Sequence, residues 1–133
     1  MSLKSEQVEE FKDYVWKRGS RLGLRGVFFC LVSGMWECKE GWKEAWNLLA
    51  EYLRSKGYFV ELALSLDGSV LFVIVAKGDN WTIIKVPNAS LYSWGQEANL
   101  RYTLLYPASQ GDPEACYELV GIFLSSIDIA FAL

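Results

Sequence analysis

The sequence predicts an α+β fold: a single globular domain over residues 1–133, in which a mostly antiparallel sheet is covered by about three helices. Three observations support this prediction. The chain has 133 residues, which is the usual size of one domain. Hydrophobic residues make up 52% of the chain, enough to form a core. Apolar residues alternate with polar ones in the middle of the chain, whereas they recur at helical spacing over about residues 5–18 and 39–56.

The first part of the chain is predicted to form a helix, a strand and a second helix. Apolar residues spaced by three and four, followed by Gly19, predict a helix over about residues 5–18. Residues 27–32 (VFFCLV) are short, apolar and rich in branched and aromatic side chains, which indicates a buried strand. A wide apolar stripe predicts the second helix over about residues 39–56, closed by Gly57.

The middle of the chain predicts a three-strand meander over about residues 58–87. The strands are expected at 58–66, 69–77 and 81–86. Asp67-Gly68 is a favoured two-residue hairpin turn, in which both positions take a positive φ. The second strand is apolar on both faces, as a central strand is.

The last part of the chain is predicted to add strands to the sheet. Residues 100–106 alternate as a strand does, and a loop with at most one helical turn precedes them. Asp112 and Pro113 predict the start of a helix that reaches about residue 124. The tail alternates Ile127, Ile129, Phe131 and Leu133, which favours a final strand; a helix that continues to the end is the alternative.

Composition excludes several classes of function. The chain has no histidine, so it cannot form Ser–His–Asp or Cys–His catalytic sites or histidine zinc sites. Its net charge of −3 argues against nucleic-acid binding, which normally requires a basic face. The apolar C-terminal stretch is interrupted by polar residues, so no membrane association is expected. We expect no cofactor, since no phosphate-binding glycine loop and no set of metal ligands is present in the sequence.

Cys38 is the first candidate catalytic residue. It lies at the predicted start of the second helix, where a helix dipole stabilises a thiolate. Residues 28–39 (FFCLVSGMWECK) resemble the strand–Trp–Cys–x–x–Cys–Lys turn of the thioredoxin family, although no second cysteine lies three residues from Cys38. The odd number of cysteines and the polar N-terminus predict that Cys30, Cys38 and Cys116 are free thiols in a cytoplasmic protein.

Lys85 is the second candidate catalytic residue. Residues 48–86 resemble the helix, hairpin and lysine-ended strand of the restriction-endonuclease-like core, which would assign Lys85 to a nuclease centre. That family also requires carboxylates on adjacent strands to bind a divalent metal. The second strand here has Val70, Leu71 and Phe72 instead, so a degenerate copy of this fold is the most that the pattern supports.

Aromatic residues suggest a binding surface. Trp94 and Tyr92 lie in the Gly/Ser-containing segment LYSWGQ, where exposed rings would anchor a partner. The alternative is that this segment folds back and buries Trp94. Because catalytic groups are missing and apolar residues are abundant, the favoured hypothesis is a protein-interaction or assembly module, with a protein partner or self-association. The alternative function is a degenerate nuclease-like or Cys38-dependent protein.

Overall fold

In the computed structural model, which describes residues 3–132, the chain forms six α-helices and one three-stranded antiparallel sheet. The helices are α1 (Leu3–Arg18), α2 (Gly23–Ser33), α3 (Gly41–Ser55), α4 (Leu91–Glu97), α5 (Tyr102–Ser109) and α6 (Pro113–Ala130). A 3-10 turn (Gly34–Trp36) follows α2. The strands are β1 (Phe59–Leu64), β2 (Val70–Lys77) and β3 (Asn80–Pro87), in the order β1-β2-β3. The α+β class and the meander are confirmed, whereas the prediction of about three helices and further strands is wrong for the described residues.

The predicted strand at residues 27–32 lies inside helix α2. This helix contacts α1, α3, α4, α5 and α6, so it occupies the centre of the helical layer. Val27, Phe28 and Leu31 are fully buried. A helix enclosed by neighbours is apolar on most of its surface. Its short apolar run therefore lacks a visible helical period and looks like a buried strand.

The predicted strand at residues 100–106 is also helical, and most of it lies in α5. Leu104, Leu105 and Ala108 are its buried residues, which is helical spacing. Tyr102 and Tyr106 lie one turn apart on the exposed side, with ring centroids 5.4 Å apart. The alternation of Leu and Tyr in this segment reflects these two helix faces rather than the two faces of a strand.

Helix α6 continues through most of the predicted final strand. Ile127 is fully buried but Ile129 is 66% exposed, so alternate residues do not share a face. The alternative prediction, a continuing helix, is the correct one up to Ala130. Leu133, the last residue of the predicted strand, lies outside the described residues. Asp112 caps α6 as predicted, with its carboxylate accepting a bond from the Ala115 N–H at 3.0 Å.

The inner face of the sheet completes the core. It packs on the helices, with α3 against β1 and α4 against β3. The buried residues of this face are Val60, Leu71, Val73, Val75 and Val86. Trp46 on α3 joins the layers, because its indole N–H donates to the Ala89 carbonyl at 2.8 Å and its ring packs edge-on against Phe123. The core therefore lies between the sheet and the helices, on one side of the sheet.

The turn between β1 and β2 is longer than predicted. Four residues, 66–69, connect Ser65 to Val70, whose paired backbone groups close the loop with a bond of 2.9 Å. Of the four loop residues, only Gly68 has a positive φ (76°). The predicted two-residue turn with two positive φ angles is therefore wrong. The Asp67 carboxylate accepts bonds from the Ser65 hydroxyl and from the Ser69 N–H and hydroxyl, which stabilises the longer loop.

Candidate interaction surface

The face of the sheet that points away from the helices is mostly apolar. We call it the outer sheet face. It consists of Phe59, Glu61, Ala63, Val70, Phe72, Ile74, Ala76, Trp81, Ile83, Lys85 and Pro87. None of these residues is fully buried, and none packs against the hydrophobic core. Trp81 is 68% exposed and Phe59 is 58% exposed.

The strand register places these side chains in transverse rows. Phe59, Ala76 and Trp81 form the first row. Glu61, Ile74 and Ile83 form the second, and Ala63, Phe72 and Lys85 form the third. Neighbouring side chains in such rows lie close enough to form a continuous surface. The result is an apolar face with one negative charge on β1 and one positive charge on β3.

Glu61 and Lys85 are the only charged residues of the outer sheet face, and both are exposed. Among the described residues neither has an ion-pair partner. They lie in adjacent rows at opposite edges of the face, so they are diagonal to each other across β2. A surface that bound here would meet an apolar centre flanked by two unpaired charges of opposite sign.

The open edge of β1 is partly blocked by Arg54. Ser65 and Val70 form a hydrogen-bonded pair, so the backbone N–H and C=O groups of Ser65 point toward β2. This direction alternates along a strand, and Val60 lies an odd number of residues before Ser65. The backbone groups of Val60 therefore point away from β2. The Arg54 guanidinium donates two bonds to the Val60 carbonyl, at 3.1 and 2.7 Å. A charged side chain on an edge strand hinders pairing with another strand. Contact through the outer sheet face is therefore less obstructed than contact through this edge.

Lys85 is the one predicted site residue that lies on the outer sheet face. It is exposed and lies beside Phe72 rather than beside a carboxylate. The nuclease-like arrangement requires a further, parallel strand after the meander. Over the part of the chain that the structure describes, the residues after β3 form helices α4, α5 and α6. Among the same residues, no three Cys, Asp or Glu side chains lie together as a metal site would require.

Trp94 and Tyr92 lie on α4, away from the outer sheet face. The Trp94 ring packs edge-on against Phe123 of the core, with ring centroids 5.1 Å apart, and is half-buried. Tyr92 is also half-buried, and its hydroxyl accepts a bond of 3.4 Å from the Gln96 amide. The segment around Trp94 thus folds back on the core, which was the alternative weighed from the sequence.

Cys38 forms a disulfide with Cys30. Their Cα atoms are 5.4 Å apart, and the bond links α2 to the turn before α3. The prediction that all three cysteines are free is therefore wrong for this pair. Cys38 is half-buried, and its sulfur lies 3.6 Å from the Ser33 hydroxyl, whereas Cys30 is buried. Cys116 is free and buried, and desolvation raises the pKa of its thiol to about 12.

Sequence reasoning found the strands of the outer sheet face but missed that the face is uncovered. The sequence feature that indicated an apolar outer face is the central strand β2, which is apolar on both sides. Phe72 and Ile74 point to one side of it, and Leu71 and Val73 to the other. We predicted a sheet covered by helices, and the described helices that pack on it, α3 and α4, lie on one side.

Comparisons of the chain with protein-family models, with curated proteins and with solved structures found no match. Within residues 3–132, no helix has the length and apolar character needed to cross a membrane.

Proposed function

We propose that this chain is a protein-interaction or assembly module that associates through its outer sheet face. The observation that carries the proposal is the apolar character of this face. It has aromatic or branched residues on all three strands, and no helix within residues 3–132 packs on it. Burial of apolar surface is the main driving force of protein association. Exposed contiguous apolar patches mark interaction sites more often than scattered apolar residues do.

The aromatic residues of the outer sheet face also favour binding. Trp81 and Phe59 lie in one row, on either side of the small Ala76. Two rings flanking a small residue form a shallow depression that a protruding side chain of a partner can fill. Aromatic residues of this kind contribute a large share of the binding energy at interfaces.

The experiment that tests this proposal compares Ile83→Lys with Ile129→Lys. Both isoleucines are exposed, but Ile83 lies on the outer sheet face and Ile129 lies on α6. We expect the mass of the wild-type protein in solution, measured by light scattering, to rise with concentration. Ile83→Lys should prevent this rise and Ile129→Lys should not. Association that persists unchanged in Ile83→Lys contradicts the proposal.

A second candidate function is thiol–disulfide exchange at the Cys30–Cys38 pair. The observation that favours it is the difference in exposure of the two cysteines: Cys38 is half-buried and Cys30 is buried. An incoming thiolate that attacks the sulfur of Cys38 forms a mixed disulfide and releases Cys30 as the thiolate. The test is alkylation of the reduced protein as a function of pH, with peptide mapping. An apparent pKa of Cys38 well below the ~8.5 of a free thiol supports this function, and a sulfur that reacts only in denaturant contradicts it.

A further inference from the structure

We infer that a second copy of this chain covers the outer sheet face, with the two sheets stacked and the twofold axis running along β2. This inference rests on the proposed function and specifies its partner. It is carried by the positions of the two charges, which make the face complementary to itself.

The two charges distinguish between the possible symmetric arrangements. A twofold axis that runs along β2, between the stacked sheets, places β1 of one copy over β3 of the other. Glu61 of one copy then lies over the row next to Lys85 of its partner, and the same contact occurs twice. A twofold axis perpendicular to the strands would instead place β1 over β1 and β3 over β3. Each Glu61 would then lie over the β1 strand of the partner and each Lys85 over its β3 strand, so each charge would lie nearer to its like than to its opposite. Of these two arrangements, only the first brings opposite charges together.

The separation suits a contact between these side chains. Stacked sheets lie about 10 Å apart, and one row corresponds to about 7 Å along a strand, so the two Cα atoms are roughly 12 Å apart. Extended Glu and Lys side chains together span most of this distance. The pair thus lies at the rim of the interface, whereas Phe72 and Ile74 of the central strand lie at its centre.

The size of the outer sheet face sets the expected strength of the dimer. Three strands of up to eight residues cover roughly 400 Å² on each copy, which is the size of a weak and reversible interface. We therefore expect association in the micromolar range rather than a permanent dimer. This expectation sets the concentrations over which the test must be made.

The test uses charge reversal in the full-length chain. In Glu61→Lys, two attractive contacts become repulsive, and Lys85→Glu has the same effect with the signs exchanged. Each variant alone should weaken dimer formation by roughly 10- to 100-fold. An equimolar mixture of the two variants should recover it, because positions 61 and 85 then carry opposite charges at both contacts of the mixed dimer. Lys39→Glu is the matched control for Lys85→Glu. Lys39 is exposed and lies outside the outer sheet face, and its substitution changes the net charge by the same amount as Lys85→Glu does.

Sedimentation equilibrium from micromolar to near-millimolar concentration distinguishes the outcomes, with circular dichroism to show that each variant is folded. Weakening in each variant and recovery in the mixture support the inference. A dimer that is abolished by Ile83→Lys but unaffected by both charge reversals contradicts the twofold arrangement and leaves the proposed function intact. A wild-type protein that stays monomeric throughout contradicts a second copy as the partner. A dimer unaffected by Ile83→Lys contradicts the proposed function as well.

Discussion

Replacement of Gly34 by alanine should destabilise the protein more than any other substitution of a glycine with positive φ. Gly34 ends α2 with φ 62° and ψ −139°, and it lies against the turn that follows β3. An added Cβ would lie 2.5 Å from the Ala89 carbonyl oxygen and closer still to that of Asn88. These are backbone atoms, held by the Met35 N–H bond to the Asn88 carbonyl and by the Trp46 indole bond to the Ala89 carbonyl. They therefore cannot move aside as the end of a flexible side chain could.

Two costs combine in Gly34→Ala. The positive-φ conformation, which favours glycine, costs an alanine about 1–3 kcal/mol. Forced displacement of a packed backbone costs about 1–3 kcal/mol more, and a weakened bond to a buried carbonyl adds to this. We expect a loss of about 3–5 kcal/mol in the free energy of unfolding, which is a large part of the total for an ordinary domain.

Gly78→Ala is the matched control for this prediction. Gly78 has the same φ of 62°, but an added Cβ there would meet nothing within 4 Å. The control should therefore show only the conformational cost. Urea unfolding followed by tryptophan fluorescence measures both variants. If Gly34→Ala loses no more stability than Gly78→Ala, the expected clash between the added Cβ and the turn after β3 is refuted.

Two further predictions concern the disulfide and the hairpin loop. Reduction of the Cys30–Cys38 bond, which closes a loop of sequence separation 8, should lower the free energy of unfolding by about 2.5 kcal/mol. The stability of Cys38→Ser should not depend on reductant. A urea midpoint of the wild-type protein that reductant leaves unchanged would contradict a stabilising role of the disulfide. For Asp67, bonds from Ser65 and Ser69 lower the pKa of the carboxyl from 3.8 to about 2, so its stabilising effect is complete above pH 3.8 and is lost as the pH falls through 2. Asp67→Asn should therefore be less stable than wild type at neutral pH, and this difference should shrink as the pH falls below 3.8 and disappear below 2. A difference that is constant with pH would refute this.

The elements that sequence patterns predicted well are those with one face in the core and one in solvent. Helix α1 is an example, because its buried Phe11 and Val15 alternate with charged residues at helical spacing. The patterns failed where an element is enclosed. Helix α2 has neighbours on most sides, so tertiary packing rather than solvent exposure decides its composition, and the helical period disappears. For α5, two exposed tyrosines one turn apart produced the alternation of a strand by coincidence.

Candidate site residues were harder to predict than the fold, for a different physical reason. The local sequence around Cys38 indicated the start of a helix but not the partner of the thiol, because the helix α2 and the turn after it are what bring Cys30 close. With residues 27–32 read as a strand, the spacing of the two cysteines had no meaning. Trp94 likewise looked accessible in a polar segment, and only the packing of α4 on Phe123 shows where its ring lies.

The outer sheet face shows the limit of sequence patterns most clearly. A strand that is apolar on both sides indicates that both sides are covered, but it does not indicate that the same chain supplies both covers. The helices of the described chain pack on the inner side, through α3 and α4, which leaves Phe72 and Ile74 on the other. A face that was meant for solvent would have polar residues at these central positions. The two charges on this face lie at its edges instead. In the proposed association they would select the orientation of the partner without interrupting the apolar centre.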